Sequence, residues 1–123
     1  IIPIVCVGEE KKMSITDTIN VLTELLDNVL KNIDIKKIIV AYEPTWMIGT
    51  KALVDTNALH EITNFLKKHL EKFNVNDIIV LYGGSVNENN YKEIISLPSI
   101  DGILIGNAST NVEALLKIIE VTY

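Results

Sequence analysis

An α/β fold built on a parallel sheet is what this sequence predicts, on three observations. Four short apolar runs, at residues 2–7, 37–42, 77–82 and 102–105, are rich in Val and Ile and do not alternate apolar with polar. Such runs suit strands covered on both faces, as parallel sheets are. Helix-period segments separate the runs, giving the order βαβαβαβα. The chain of 123 residues holds one domain, residues 1–123.

Each element has its own signal. The first strand is bounded by Pro3 and Gly8. Ile15, Ile19, Leu22, Leu26, Val29 and Ile33 then recur at steps of four and three, one face of a helix, with Ser14 or Thr16 as N-cap. The second strand, Ile38-Ile39-Val40-Ala41-Tyr42, runs into Glu43-Pro44. Ala58, Ile62, Phe65, Leu66, Leu70 and Phe73 repeat the helical pattern, capped by Asp55 or Thr56. The third strand ends at Gly83-Gly84, and a shorter helical piece follows at about residues 87–97. After the fourth, Val112, Leu115, Leu116 and Ile119 mark a closing helix capped near Ser109 or Thr110. Right-handed crossovers join parallel strands of this kind. Four units make either a small open sheet or half of an eight-stranded barrel, which typically needs about 250 residues.

Composition narrows the function. Hydrophobic residues make up 48% and charged residues 22%, a globular balance. No apolar run approaches the roughly 20 residues of a membrane span, so no membrane partner is expected. The first residues lack the basic region and cleavage pattern of a signal peptide, and they lack Met. A chain opening inside an apolar run reads as a piece of something longer. The net charge of -5 argues against nucleic acid, which selects a basic stripe. It leaves room for a small anion, since helix ends and backbone amides hold phosphate without net positive charge. Cys6 is the single cysteine, which excludes a disulfide framework and suits a cytoplasmic location. His60 and His69 stand nine apart in one helix and do not form a metal pair. No metal or cofactor is expected.

In parallel α/β folds ligands bind at the carboxyl ends of strands. Here those ends carry Gly8-Glu9-Glu10, Glu43 to Thr50, Gly83-Gly84-Ser85-Val86 and Gly106-Asn107-Ala108-Ser109. Gly-Gly after a strand can be a simple turn. Gly beside hydroxyl and amide residues after both of the last two strands favours a phosphate site. Glu43 is a carboxylate at the end of an apolar strand, either capped or paired there, or used as a base. The segment after it has the makings of a lid. Pro44 stiffens its start, Trp46 and Ile48 give it an apolar side, and Gly49 lets the backbone turn towards a ligand.

Four segments together carry a resemblance. Ala41-Tyr42-Glu43-Pro44-Thr45-Trp46-Met47-Ile48-Gly49-Thr50 resembles the lid of the triosephosphate isomerase family. Val5-Cys6-Val7-Gly8-Glu9 is similar to its fifth strand, Tyr82-Gly83-Gly84-Ser85-Val86 to its seventh-strand loop and Asp101 to Ser109 to its eighth. They occur in the family's order and cover essentially the whole chain. The resemblance implies a TIM (β/α)8 barrel, of which this would be the C-terminal (βα)4 half. It implies Glu43 as the base that moves a proton between C1 and C2 of a phosphorylated triose. Gly49, Ser85, Gly106 and Asn107 would offer backbone amides to the phosphate. Glu9 and Trp46 would meet when the lid is open, and Tyr82 would hold it closed through an amide near Val54. Thr50 would complete the lid. Cys6 would be a small buried packing residue near the site. The complete protein would be a homodimer.

Two departures from the family pattern fall in the site loops, and the helix after the first strand starts slightly early. Lys51-Ala52-Leu53 stands where the family usually has Gly-Lys-Thr, which alters the second hinge of the lid. Asn107 stands for a commoner Gly; Asn tolerates left-handed backbone and keeps its N–H. The family's neutral His electrophile and its substrate-binding Lys and Asn belong to the first four strands, and His60 and His69 do not replace them: both are expected to be helix-surface or partly packed. Two further readings stay open. One is a non-catalytic half-barrel that keeps a phosphate-binding surface. The other is a flavodoxin-like domain, disfavoured because no phosphate loop follows the first strand.

Overall fold

A computed structural model of the chain describes residues 1–50, 52 and 54–122. Four strands, β1 (Ile4–Val7), β2 (Lys37–Tyr42), β3 (Asp77–Tyr82) and β4 (Gly102–Ile103), form one parallel sheet in the order β1-β2-β3-β4. The long helix α1 (Ile15–Leu30) joins β1 to β2, the long helix α2 (Thr56–Leu70) joins β2 to β3, the short helix α3 (Tyr91–Ile95) joins β3 to β4, and α4 (Val112–Thr122) follows β4. This strand order separates the open readings. Right-handed crossovers that always advance in one direction put every helix on the same face, as in a barrel wall. A flavodoxin-like sheet reverses direction and carries helices on both faces. The sheet is therefore the half-barrel, (βα)4.

The core lies between the sheet and the helices. Val7, Ile38, Val40, Tyr42, Val80 and Tyr82 point from the strands into it, and meet Leu22, Leu26, Leu59, Ile62, Leu66, Leu70 and Ile94 from the helices. Burying each such side chain contributes about 1.5–3 kcal/mol. Strand side chains alternate between faces, so Ile4, Cys6, Ile39, Ala41, Ile79 and Leu81 share the opposite face in register. Ile4 stands 53% exposed on it, because no helix of the described residues covers that side.

Local signals behave largely as their chemistry dictates. Ser14 caps α1, accepting from the Asp17 amide at 3.1 Å. Asp55 caps α2, accepting from the amides of Asn57 and Ala58 at 3.1 and 3.0 Å. Asn74 closes the turn after α2 in left-handed backbone, φ 56°. Three expectations are corrected. The buried face of α1 is Thr18, Leu22, Leu26 and Leu30, whereas Val29 and Ile33 are exposed. Left-handed Asn32 has already turned the chain before Ile33. The third helix is shorter than expected because Asn87 to Asn90 form side-chain-bonded turns instead. The cap of α4 is Asn111, whose Oδ1 accepts from the Ala114 amide at 3.0 Å. Ser109 and Thr110 are used one turn earlier, each hydroxyl donating to a carbonyl three residues back.

Candidate active site

Glu43 follows the last residue of β2, and its backbone is fixed on both sides. Its amide donates to the Val7 carbonyl at 2.8 Å, and the Gly83 amide donates to the Tyr42 carbonyl at 2.9 Å. The half-buried side chain lies along Gly83: a Cβ there would stand 2.7 Å from Glu43 Cγ and 2.9 Å from Oε1. Glycine at this position is what lets the carboxylate reach the sheet's end. The Cys6 thiol lies close enough to this carboxylate to feel its charge. Cys6 is exposed, not buried as expected, because it sits on the face of the sheet that carries no helix. Even so, partial burial of the thiol comes first in pushing its pKa up, ahead of the Glu43 charge. An adjacent carboxylate disfavours thiolate, so Cys6 is a poor nucleophile.

A cleft of about 570 Å³ opens at the carboxyl ends of β2, β3 and β4. It brings together Glu43, Ile48, Gly49, Thr50, Ser85, Gly106 and Asn107. Gly49 adopts φ 73°, a conformation that favours glycine. Its amide donates to Ser85 Oγ at 3.1 Å, and that hydroxyl donates to the Met47 carbonyl at 2.5 Å. In this arrangement the Gly49 N–H is engaged within the protein, so only a movement of the lid segment frees it for a ligand. Gly106 and Asn107 stand exposed at the start of a 3-10 turn, Asn107–Thr110. Asn107 does not use the left-handed tolerance expected of it. The unusual backbone falls on Gly106 (φ -88°, ψ -109°), and Ser85 is the left-handed residue of the cleft, φ 54°.

The remaining residues expected in the lid cluster behind this cleft. Pro44 precedes a 3-10 turn over Thr45–Met47. Trp46 Nε1 donates to Glu9 Oε1 at 2.7 Å, and the Tyr42 hydroxyl donates to the same carboxylate at 3.1 and 3.2 Å. The Glu9 carbonyl takes the Thr45 amide at 3.0 Å and its hydroxyl at 3.1 Å. Glu9 is only 3% exposed, and such burial is tolerable because four donors meet its carboxylate and carbonyl groups. The Glu9–Trp46 bond is the contact that the family resemblance implies for an open lid. Tyr82, expected near Val54 in the closed state, here donates to Met47 Sδ at 3.6 Å. Glu9, Tyr42, Pro44, Trp46, Met47 and Tyr82 line a second cavity of about 280 Å³ that does not include Glu43.

Burial, then the Glu9 charge, push both phenols above their ordinary 10.0, and Tyr42 also through its hydrogen bond to Glu9. A group whose folded pKa is raised keeps its proton in the native state. Its contribution to stability is full below the unfolded value and is lost as pH rises above it. Stability should therefore fall as pH climbs beyond 10, with phenolate absorbance of Tyr42 and Tyr82 appearing together with loss of circular dichroism. Tyr42→Phe should flatten that fall. Reversible ionisation of both phenols near pH 10 in a folded chain would contradict the arrangement.

His60 and His69 stay out of both cavities. His69 is buried rather than partly packed, stacked on Phe65 and held by Asp27 at 2.7 Å across α1 and α2. His60 Nδ1 lies 2.8 Å from Ser99 Oγ. Of the expected altered hinge, Lys51 and Leu53 lie outside the described residues. Sequence reasoning missed Tyr42 as a Glu9 partner and Met47 as a hub, and it missed Asn87 and Asn90 beside Ser85. Only the Asn-rich stretch after Ser85 could have signalled them, as side-chain turns. No helix of the described residues is long and apolar enough to cross a membrane.

The family model described as triosephosphate isomerase matches residues 1–122. The chain is 40% identical to the triosephosphate isomerase of Wigglesworthia glossinidia brevipalpis over 98% of its own length and 50% of that protein's. It is 42% identical to that of Buchnera aphidicola over the same shares, and 37% to that of Mesomycoplasma hyorhinis over 97% and 48%. The chain thus spans about half the length of the curated relatives it matches.

Proposed function

This chain belongs to the triosephosphate isomerase family, and we propose that it supplies the proton-transferring base and the phosphate cradle of an isomerase. The substrates are dihydroxyacetone phosphate and glyceraldehyde 3-phosphate, interconverted in glycolysis and gluconeogenesis. One observation carries the reading: Glu43 shares a cleft with the glycine-rich loops after β3 and β4. Glu43 removes a proton from the carbon beside the carbonyl, leaving an enediolate, and returns it to the neighbouring carbon. The amides of Gly49, Ser85, Gly106 and Asn107 take the phosphate dianion. Freeing the Gly49 N–H from Ser85 is part of closing the lid, and closure excludes water from a reactive intermediate. No metal or cofactor enters this scheme. The developing oxyanion needs an electrophile, which the family draws from the other half of its barrel, together with a substrate Lys and Asn. The complete protein acts as a cytoplasmic homodimer.

The isolated 123 residues should show no turnover, because a base without an oxyanion donor leaves the enediolate charge unstabilised. The full-length protein carrying this sequence should interconvert the two trioses in a coupled assay. Isomerase activity absent from the full-length protein, with phosphate still bound, would favour the non-catalytic half-barrel instead.

A further inference from the structure

Ser85 is held in the left-handed region, φ 54°, which disfavours a non-glycine residue. What holds it is visible in its hydrogen bonds. The Asn90 side-chain amide donates to the Ser85 carbonyl at 3.0 Å, and the Asn87 amide donates to the same oxygen at 3.3 Å. Asn90 Oδ1 in turn accepts the Asn87 backbone N–H at 2.8 Å. Both ends of the Asn90 carboxamide are thereby satisfied in one orientation only, since a flip would set oxygen against oxygen. Two donors on one carbonyl fix the peptide plane that follows Ser85. With that plane fixed, the hydroxyl reaches both Met47 O and Gly49 N–H. Asn87 lines the cleft, whereas Asn90 does not.

We propose that Asn90 is a positioning residue for this site. It acts through Ser85, holding the left-handed turn that docks the lid segment and presents the loop to phosphate. The consequence for substrate rests on the phosphate reading above; the holding of Ser85 does not. Asn90→Ala in the full-length protein should weaken competitive inhibition by inorganic phosphate about tenfold, roughly the loss of one well-made hydrogen bond. KM for the triose should rise by a similar factor, with kcat changed less. In a Ser85→Gly background the left-handed backbone needs no holder, so Asn90→Ala should there change phosphate inhibition less than about twofold. Unchanged phosphate inhibition in the single variant would overturn the proposal. So would the same factor in both backgrounds, which would make Asn90 merely structural. If phosphate fails to compete even in the unmodified protein, the cradle itself is wrong, a different failure. Should Asn90→Ala not fold, Asn90→Ser carries the same comparison.

Discussion

Glu43→Gln in the full-length protein is expected to lower kcat roughly 10³-fold while KM moves by less than about threefold, the range a general base contributes. The substitution is nearly isosteric. The side chain stays against Gly83, where the glycine leaves it room. What is lost is the capacity to accept a proton from carbon. An interaction needed only in the transition state shows in kcat, not in ground-state binding. Inhibition by inorganic phosphate should stay as it was, because the proposed cradle residues Ser85, Gly106 and Asn107 are untouched. Measuring kcat, KM and phosphate inhibition on the same preparation separates the outcomes. A variant that keeps a tenth or more of the activity would remove Glu43 as the base. One that loses phosphate inhibition as well would have disturbed the loops, and the loss of kcat would say nothing about proton transfer.

Much of this fold and site is readable in the sequence because it rests on local chemistry. Three of the strands, β2, β3 and most of β1, coincide with uninterrupted Val and Ile runs. Ser14 and Asp55 cap helices because a short oxygen-bearing side chain ahead of an amphipathic face can do little else there. The cleft was legible for the same reason: its residues are the ones that directly follow strands. What was not legible depends on the third dimension. Cys6 reads as a core residue, and its exposure follows from which face of β1 it occupies and from the lack of a helix there. The cap of α4 moved to Asn111 because the chain first makes a 3-10 turn after Gly106, consuming Ser109 and Thr110. Ser85 carries the positive φ that the residue types would have assigned to Asn107, because two asparagines downstream in sequence fold back onto its carbonyl. Nothing in the spacing of Asp27 and His69 foretells that α1 and α2 pack closely enough to pair them.

Gly8→Ala should be the most destabilising single-methyl change in the site, costing about 3 kcal/mol or more, the upper range for overpacking. Gly8 sits where β1 passes Glu43, and a Cβ there would fall on the Glu43 carbonyl and stand 3.1 Å from the Pro44 nitrogen. These are backbone atoms, which no rotamer change can move aside. They are also anchored, since the Glu43 amide is bonded to Val7 and the Thr45 amide to Glu9. The added methyl must therefore part the ends of β1 and β2 and break one of those bonds, against a total stability of about 5–15 kcal/mol for a domain. Gly106→Ala is the control. Its Cβ would meet nothing, so the methyl overpacks nothing; only its ψ of -109° opposes a side chain, and stability should fall by about 1 kcal/mol, well short of Gly8→Ala. Urea denaturation of the two full-length variants decides the matter. Equal midpoints would mean that β1 and the lid's first turn do not pass as closely as the geometry requires. A large drop for Gly8→Ala alone would show that the position of the Glu43 backbone is set by the one glycine that lets the neighbouring strand lie against it.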